Sequence, residues 1–188
     1  ELLDQVALEA IERYASCGLP TDVDGVLLIE VDGHPAEVQD AARRATGVCE
    51  SMGAREVRVA RSEQEVAALW AGRRAMFPAL ARLRPTALVE DATVPRTRVP
   101  DAVRGIRKIA KEYGLHVSVP GHAGDGNMHP IILTDRRDRE EMERVEVALA
   151  AIARLGLELG GTLSGEHGIG MAKSRYMEWE LGARGVRA

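Results

Sequence analysis

Aromatic residues are scarce, with two Trp, three Tyr and one Phe in 188 positions. Positive charge is not in excess either: 25 Lys and Arg stand against 29 Asp and Glu, a formal net charge of -4. Nucleic-acid binding draws on a basic face and on stacking platforms, so that class of function is excluded. No apolar run approaches the roughly 20 residues of a membrane-spanning helix. The two cysteines, Cys17 and Cys49, form no CxxC pair. Iron–sulfur, thioredoxin-type and zinc-ribbon chemistry therefore find no support. Both are expected to be buried small residues in a reducing compartment. Neither a GxGxxG turn after a strand nor a GxxxxGK[ST] loop occurs, which removes the two common phosphate cradles.

What is present is ordinary globular usage, 45% apolar and 29% charged. Such a chain can bury a core without staples. The start, Glu1-Leu2-Leu3-Asp4-Gln5, is acidic and reads as helix rather than as a signal peptide. It carries no initiator methionine, so a fragment of a longer chain is expected. Apolar periodicity predicts helices over 1–16, 35–52, 62–83, 100–113, 138–159 and 170–181. Ser62 with Glu65 three positions later is a capping box for the third, and Pro78 is a kink or break in it. Strands are predicted at 25–31, 55–61, from Ala87 toward Asp91, at 115–119 and at 130–133. The stretch 25–61 reads as β-α-β, with Val38, Ala41, Ala45 and Val48 forming the apolar face of its helix. This order points to an α+β fold, a ferredoxin-like split β-α-β sandwich with a mainly antiparallel sheet and helices on one face.

The chemistry concentrates in two glycine-rich stretches, 120–130 and 160–170, which hold 8 of the 19 glycines. Three of the five histidines lie there: His122, His129 and His167. A tight reversal between two strands would bring His122 and His129 to one point. Two imidazoles and a carboxylate suit Zn²⁺, Mn²⁺ or Fe²⁺ with open positions for substrate. Glu166 is the candidate carboxylate, and His167 beside it could act as a base. Asp125 and Asn127 could brace the loop. The spacing leaves other readings open. Asp125-Gly126-Asn127 is a good turn sequence in its own right. A non-catalytic α+β ligand-binding or assembly module would use both stretches simply as turns, and a metallohydrolase would use the same side chains on water. His34 reads as a solvated surface residue and His116 as a half-buried strand residue. Of Arg73 and Arg74, adjacent on a helix, one is expected to face solvent and the other a neighbour, where a guanidinium could pair with a substrate carboxylate.

The phrases Gly121-His122-Ala123-Gly124-Asp125-Gly126-Asn127-Met128-His129-Pro130 and Gly161-Thr162-Leu163-Ser164-Gly165-Glu166-His167-Gly168-Ile169-Gly170 resemble the two signatures of the C-terminal domain of FAD-linked oxidases, the glycolate oxidase FAD subunit and D-lactate dehydrogenase group. Leu69-Trp70-Ala71-Gly72-Arg73, Val89-Glu90-Asp91-Ala92-Thr93-Val94-Pro95-Arg96 and Gly53-Ala54-Arg55-Glu56-Val57 resemble that group too, in order over essentially the whole chain. The resemblance implies that residues 1–188 are the substrate-side cap domain of a flavoenzyme, a fragment lacking the FAD-binding domain and inactive alone. It implies oxidation of a small D-2-hydroxy acid, glycolate or D-lactate, to the 2-oxo acid by hydride transfer to FAD. His122, His129 and Glu166 would hold a divalent metal (Zn, Mn or Fe). His167 would be the base, Asn127 would contact substrate or flavin, and Arg73 would pair with the substrate carboxylate. Members that act on dicarboxylic hydroxy acids carry Thr and Lys where Phe77 and Val89 stand here, which favours a monocarboxylic substrate. The partners implied are the FAD domain and electron-transfer subunits, and the expected location is the cytoplasm or the inner membrane face.

Overall fold

The computed structural model describes residues 1–187. Its centre is a split β-α-β unit. Strand β3 (Thr86–Val89) leads, through a short segment that joins the second sheet, to helix α4 (Val99–Glu112) and then strand β5 (His116–Ser118), and β8 (Ile131–Thr134) lies between β3 and β5, antiparallel to both. β3 and β5 are therefore parallel to each other, and α4 is the crossover. Helix α5 (Arg139–Glu158) follows β8. The chain is α+β, and every strand pair is antiparallel.

The alternation along β8 explains how the layers form. Ile132 packs with Ile106 of α4 and with Val145, Ala148 and Ile152 of α5. Ile131 and Leu133 point the other way, into a second cluster with Leu8 and Ile11 of α1 (Gln5–Ala15) and Met76 and Leu80 of α3 (Glu63–Leu80). A strand buried on both faces reads as a continuous apolar run, and Ile131-Ile132-Leu133 is one. Thus α4 and α5 share one face, while α1 and α3 cover the other; the helices lie on both faces of this sheet and not on one as expected, because β8 is apolar on both sides. The Ser62 cap expected from the sequence forms, and Asp4 and Asp138 cap two further helices. The Asp4 carboxylate accepts from Ala7 N–H, the Ser62 hydroxyl from Glu65 N–H, and the Asp138 carboxylate from Glu141 N–H.

A second sheet carries the site. Its order is β2-β1-β6-β7-β4, from β1 (Leu2–Asp4), β2 (Gly25–Leu27), β4 (Ala92–Thr93), β6 (Gly121–His122) and β7 (Asn127–Met128). Asp4 fastens it to the first sheet, because its buried carboxylate accepts from the Ser118 hydroxyl at 2.6 Å and from Val119 N–H at 2.9 Å.

Several local expectations are corrected. Residues 2–4 are strand rather than helix, since Leu2 and Leu3 pair with Leu27 and Val26. The buried strand over 25–31 is a three-residue, partly exposed strand with Leu27 54% exposed. No strand forms over 55–61, so 25–61 is not a β-α-β unit; alternation yields a strand only where a partner edge exists. Helix α2 (Pro35–Ser51) forms but buries no residue, and Val48 is 61% exposed. His116 is exposed rather than half-buried. The two cysteines are free and only partly buried. No described helix is long and apolar enough to cross a membrane.

Candidate metal and substrate site

Two glycine-rich segments meet at β4. On one side β4 pairs with β7, Ala92 opposite Met128 and Thr93 opposite Asn127. On the other side Thr162 N–H donates to the Thr93 carbonyl at 3.0 Å, bridging to the second segment. The first segment is a hairpin in which His122 is opposite Asn127. Its reversal places Gly126 at φ +90°, where a Cβ would also strike the Val94 carbonyl. His129 follows the hairpin, its N–H donating to the Pro120 carbonyl at 2.8 Å.

Asp91, one residue before β4, shapes the second segment. Its Oδ2 accepts from the Ser164 hydroxyl (2.7 Å) and from three successive backbone N–H groups, those of Gly165 (2.9 Å), Glu166 (3.1 Å) and His167 (3.0 Å). Burial would raise its pKa, but the Ser164 hydroxyl, the backbone donors and the Lys173 ammonium outweigh burial and hold it below the usual aspartate value. Lys173, itself buried, donates to the Asp91 and Leu163 carbonyls. Sequence reasoning did not single out Asp91. The signals were an acidic residue at the end of an apolar strand and its place in the family-like stretch Val89 to Arg96, and its hydrogen-bond partners in the second segment lie more than 70 positions away.

The convergence is tight. Glu166 Oε1 lies 2.9 Å from His129 Nε2, 3.4 Å from His122 Nε2 and 3.7 Å from His167 Nε2. The ligand atoms of His122, His129 and Glu166 are all within 4.8 Å of one another. Asp91, His129 and His167 form a second such set. The His129 ring stands edge-on to His122 and is stacked on His167, with centroids 4.9 Å apart in both pairs. Burial, and after it the neighbouring imidazoles of His122 and His167, push the His129 pKa below the ordinary histidine value. That favours the neutral ring, the form that binds metals. Tetrahedral coordination at about 2.1 Å sets ligand atoms about 3.4 Å apart, close to the 2.9 and 3.4 Å found here. The donor set therefore fits a divalent cation.

The remaining candidates are spread around this cluster. Asn127 is buried, and its Oδ1 accepts from the Thr93 hydroxyl at 2.9 Å. Its amide nitrogen has no hydrogen-bond partner among the described residues. Arg73 turns inward and meets the Glu1 carboxylate at 3.0 Å, whereas Arg74 is exposed, so one of the adjacent pair faces a neighbour as expected. Phe77 and Val89 are both exposed. Gly165 fits because it has no side chain, since a Cβ there would strike Thr93 Oγ1 and the Asn127 amide. Gly165→Ala is expected to destabilise the domain by about 1–3 kcal/mol, as overpacking does. Relief of the clash should also move the neighbouring Glu166 away from His122 and His129. Thermal unfolding measures the loss of stability, and histidine NMR shifts report the displacement of Glu166.

The family described as FAD linked oxidases, C-terminal domain, matches residues 1–188. Among curated proteins, the glycolate oxidase subunit GlcD of Bacillus subtilis is 46% identical over 188 residues, all of this chain and 40% of the relative. GlcD of Escherichia coli K12 is 40% identical over 94% of this chain and 36% of its own length. A probable mitochondrial D-lactate dehydrogenase of Danio rerio is 29% identical over 97% of this chain and 37% of its own length. The chain thus spans about two fifths of the length of these two GlcD relatives.

Proposed function

Because the chain belongs to the family of C-terminal domains of FAD-linked oxidases, we propose that it is the substrate-side domain of a flavoenzyme that oxidises a small D-2-hydroxy acid, of the glycolate or D-lactate type, to the 2-oxo acid. The observation that carries the reading is the convergence of three imidazoles, those of His122, His129 and His167, from two distant segments onto the Glu166 Oε1 atom. Structural turns have no need to aim four titratable side chains at one point.

In this reading His122, His129 and Glu166 hold a divalent cation, which when bound supplies Lewis-acid chemistry that eases loss of a hydroxyl proton. FAD, held mainly by a preceding domain, supplies the acceptor for the hydride from C2. The chain's own residues do the rest. His167, its side chain 41% exposed beside the ligand set, takes the hydroxyl proton on a ring nitrogen. Arg73 offers its Nη fork to the substrate carboxylate. The free amide of Asn127 contacts substrate or flavin. Phe77 and Val89 provide no charge for a second carboxylate, so a monocarboxylic acid is the fitting substrate. Asp91 and Gly165 keep Glu166 and His167 in register with the hairpin, and such orientation is worth up to roughly 7–11 kcal/mol of barrier.

The test is anaerobic mixing of the full-length flavoprotein with D-lactate and with glycolate. Bleaching of the flavin with one of them, lost on chelator treatment and restored by Mn²⁺ or Zn²⁺, is expected. No bleaching with any small 2-hydroxy acid overturns the reading.

A further inference from the structure

Glu1 has no role in the chemistry assigned so far, yet it touches both halves of the site. Its backbone is held beside β2: its carbonyl accepts from Leu28 N–H at 2.9 Å. On the other side of β1, Leu2 is opposite Gly121, which sets Glu1 beside His122. The carboxylate is 15% exposed and bridges two cations or potential cations. Its Oε1 is 3.1 Å from His122 Nδ1, and its Oε2 is 3.0 Å from Arg73 Nε. The guanidinium Nη atoms of Arg73 have no partner among the described residues.

We propose that Glu1 is a positioning residue that serves the metal ligand His122 and the substrate-binding Arg73 together. An ionised carboxylate only accepts, so it selects the His122 tautomer that carries hydrogen on Nδ1. The lone pair is then on Nε2, the atom that lies 3.4 Å from Glu166 Oε1. Carboxylate partners of this kind fix ring orientation in metal sites generally. The same carboxylate neutralises the Nε edge of Arg73 and leaves the Nη fork for an incoming carboxylate. The charge assignment at Arg73 rests on the proposed function; the tautomer assignment rests on geometry alone.

Glu1→Ala and Glu1→Gln in the full-length protein separate the two roles. In metal-free protein labelled with ¹⁵N-histidine, the long-range imidazole spectrum should show His122 protonated at Nδ1. Glu1→Ala should lose that signature, while Glu1→Gln, whose amide oxygen still accepts, should retain it. Mn²⁺ should bind the Ala variant about 10- to 100-fold more weakly and the Gln variant within about threefold of the parent. Both variants should raise KM for the hydroxy acid by about tenfold through Arg73. An Ala variant that retains FAD, keeps the Nδ1–H signature and binds Mn²⁺ as the parent does overturns the proposal. If the Ala variant does not fold, a Gln variant with unchanged KM overturns the Arg73 half, and loss of the Nδ1–H signature in it overturns the His122 half. A parent protein that binds no metal and is not reduced by any 2-hydroxy acid defeats the proposed function, and the tautomer comparison still decides for or against Glu1.

Discussion

Asp91→Ala is expected to have the largest effect of any single substitution outside the proposed metal ligands His122, His129 and Glu166. The variant removes the acceptor for three backbone N–H groups and the Ser164 hydroxyl at once. It also strips one carboxylate from the surroundings of the buried Lys173 ammonium. Breaking a buried charged network in this way costs about 3–5 kcal/mol. Urea denaturation of the full-length protein should show it as a fall in the midpoint of the transition that involves this domain. Metal affinity should fall with it, because the Glu166 and His167 backbones lose their anchor. Asp91→Asn keeps one acceptor oxygen and should recover part of the loss. The sign of the pH effect follows from the depressed pKa of Asp91. Its contribution is present above the unfolded-state pKa of about 3.9 and disappears as pH falls through the lower folded value. The parent should therefore lose stability on acidification below about pH 4, by a step that is missing from the Asn variant.

His167→Asn should separate chemistry from binding. Removal of a general base lowers kcat by about 10²- to 10⁴-fold. Stopped-flow measurement of flavin reduction under anaerobic conditions reads this directly. His167 Nε2 is the farthest of the three imidazole nitrogens from Glu166 Oε1, at 3.7 Å. Mn²⁺ affinity should accordingly stay within a few-fold of the parent. A variant that reduces its flavin at the parental rate removes His167 as the base. A large fall in metal affinity on the same substitution moves the ion to the alternative set of Asp91, His129 and His167.

Periodicity and caps made the long elements readable. The Ser62 cap, the apolar faces of α4 and α5 and the Ile131-Ile132-Leu133 run are encoded within a few neighbouring residues, and each forms where those signals place it. The site was half readable. A spacing of seven positions from His122 to His129, with a turn sequence between them, was enough to expect both rings at one point. The positions of Glu166 and His167 beside those rings depend on Thr93 and Asp91, which no spacing within 160–170 reveals.

The misses have one physical cause. Alternation at 55–61 and the apolar stripe of α2 are local patterns with no partner in this domain, so one forms no strand and the other buries nothing. Leu2-Leu3 looks helical in isolation and becomes strand because β2 and β6, which begin at Gly25 and Gly121, offer edges to it. Local chemistry thus specifies helices, turns and which side chains are reactive, since those depend on neighbours within one turn. Which reactive groups meet is set by pairing across long loops: β4 between β7 and Thr162, Asp91 beneath the Glu166 backbone, and Glu1 beside His122.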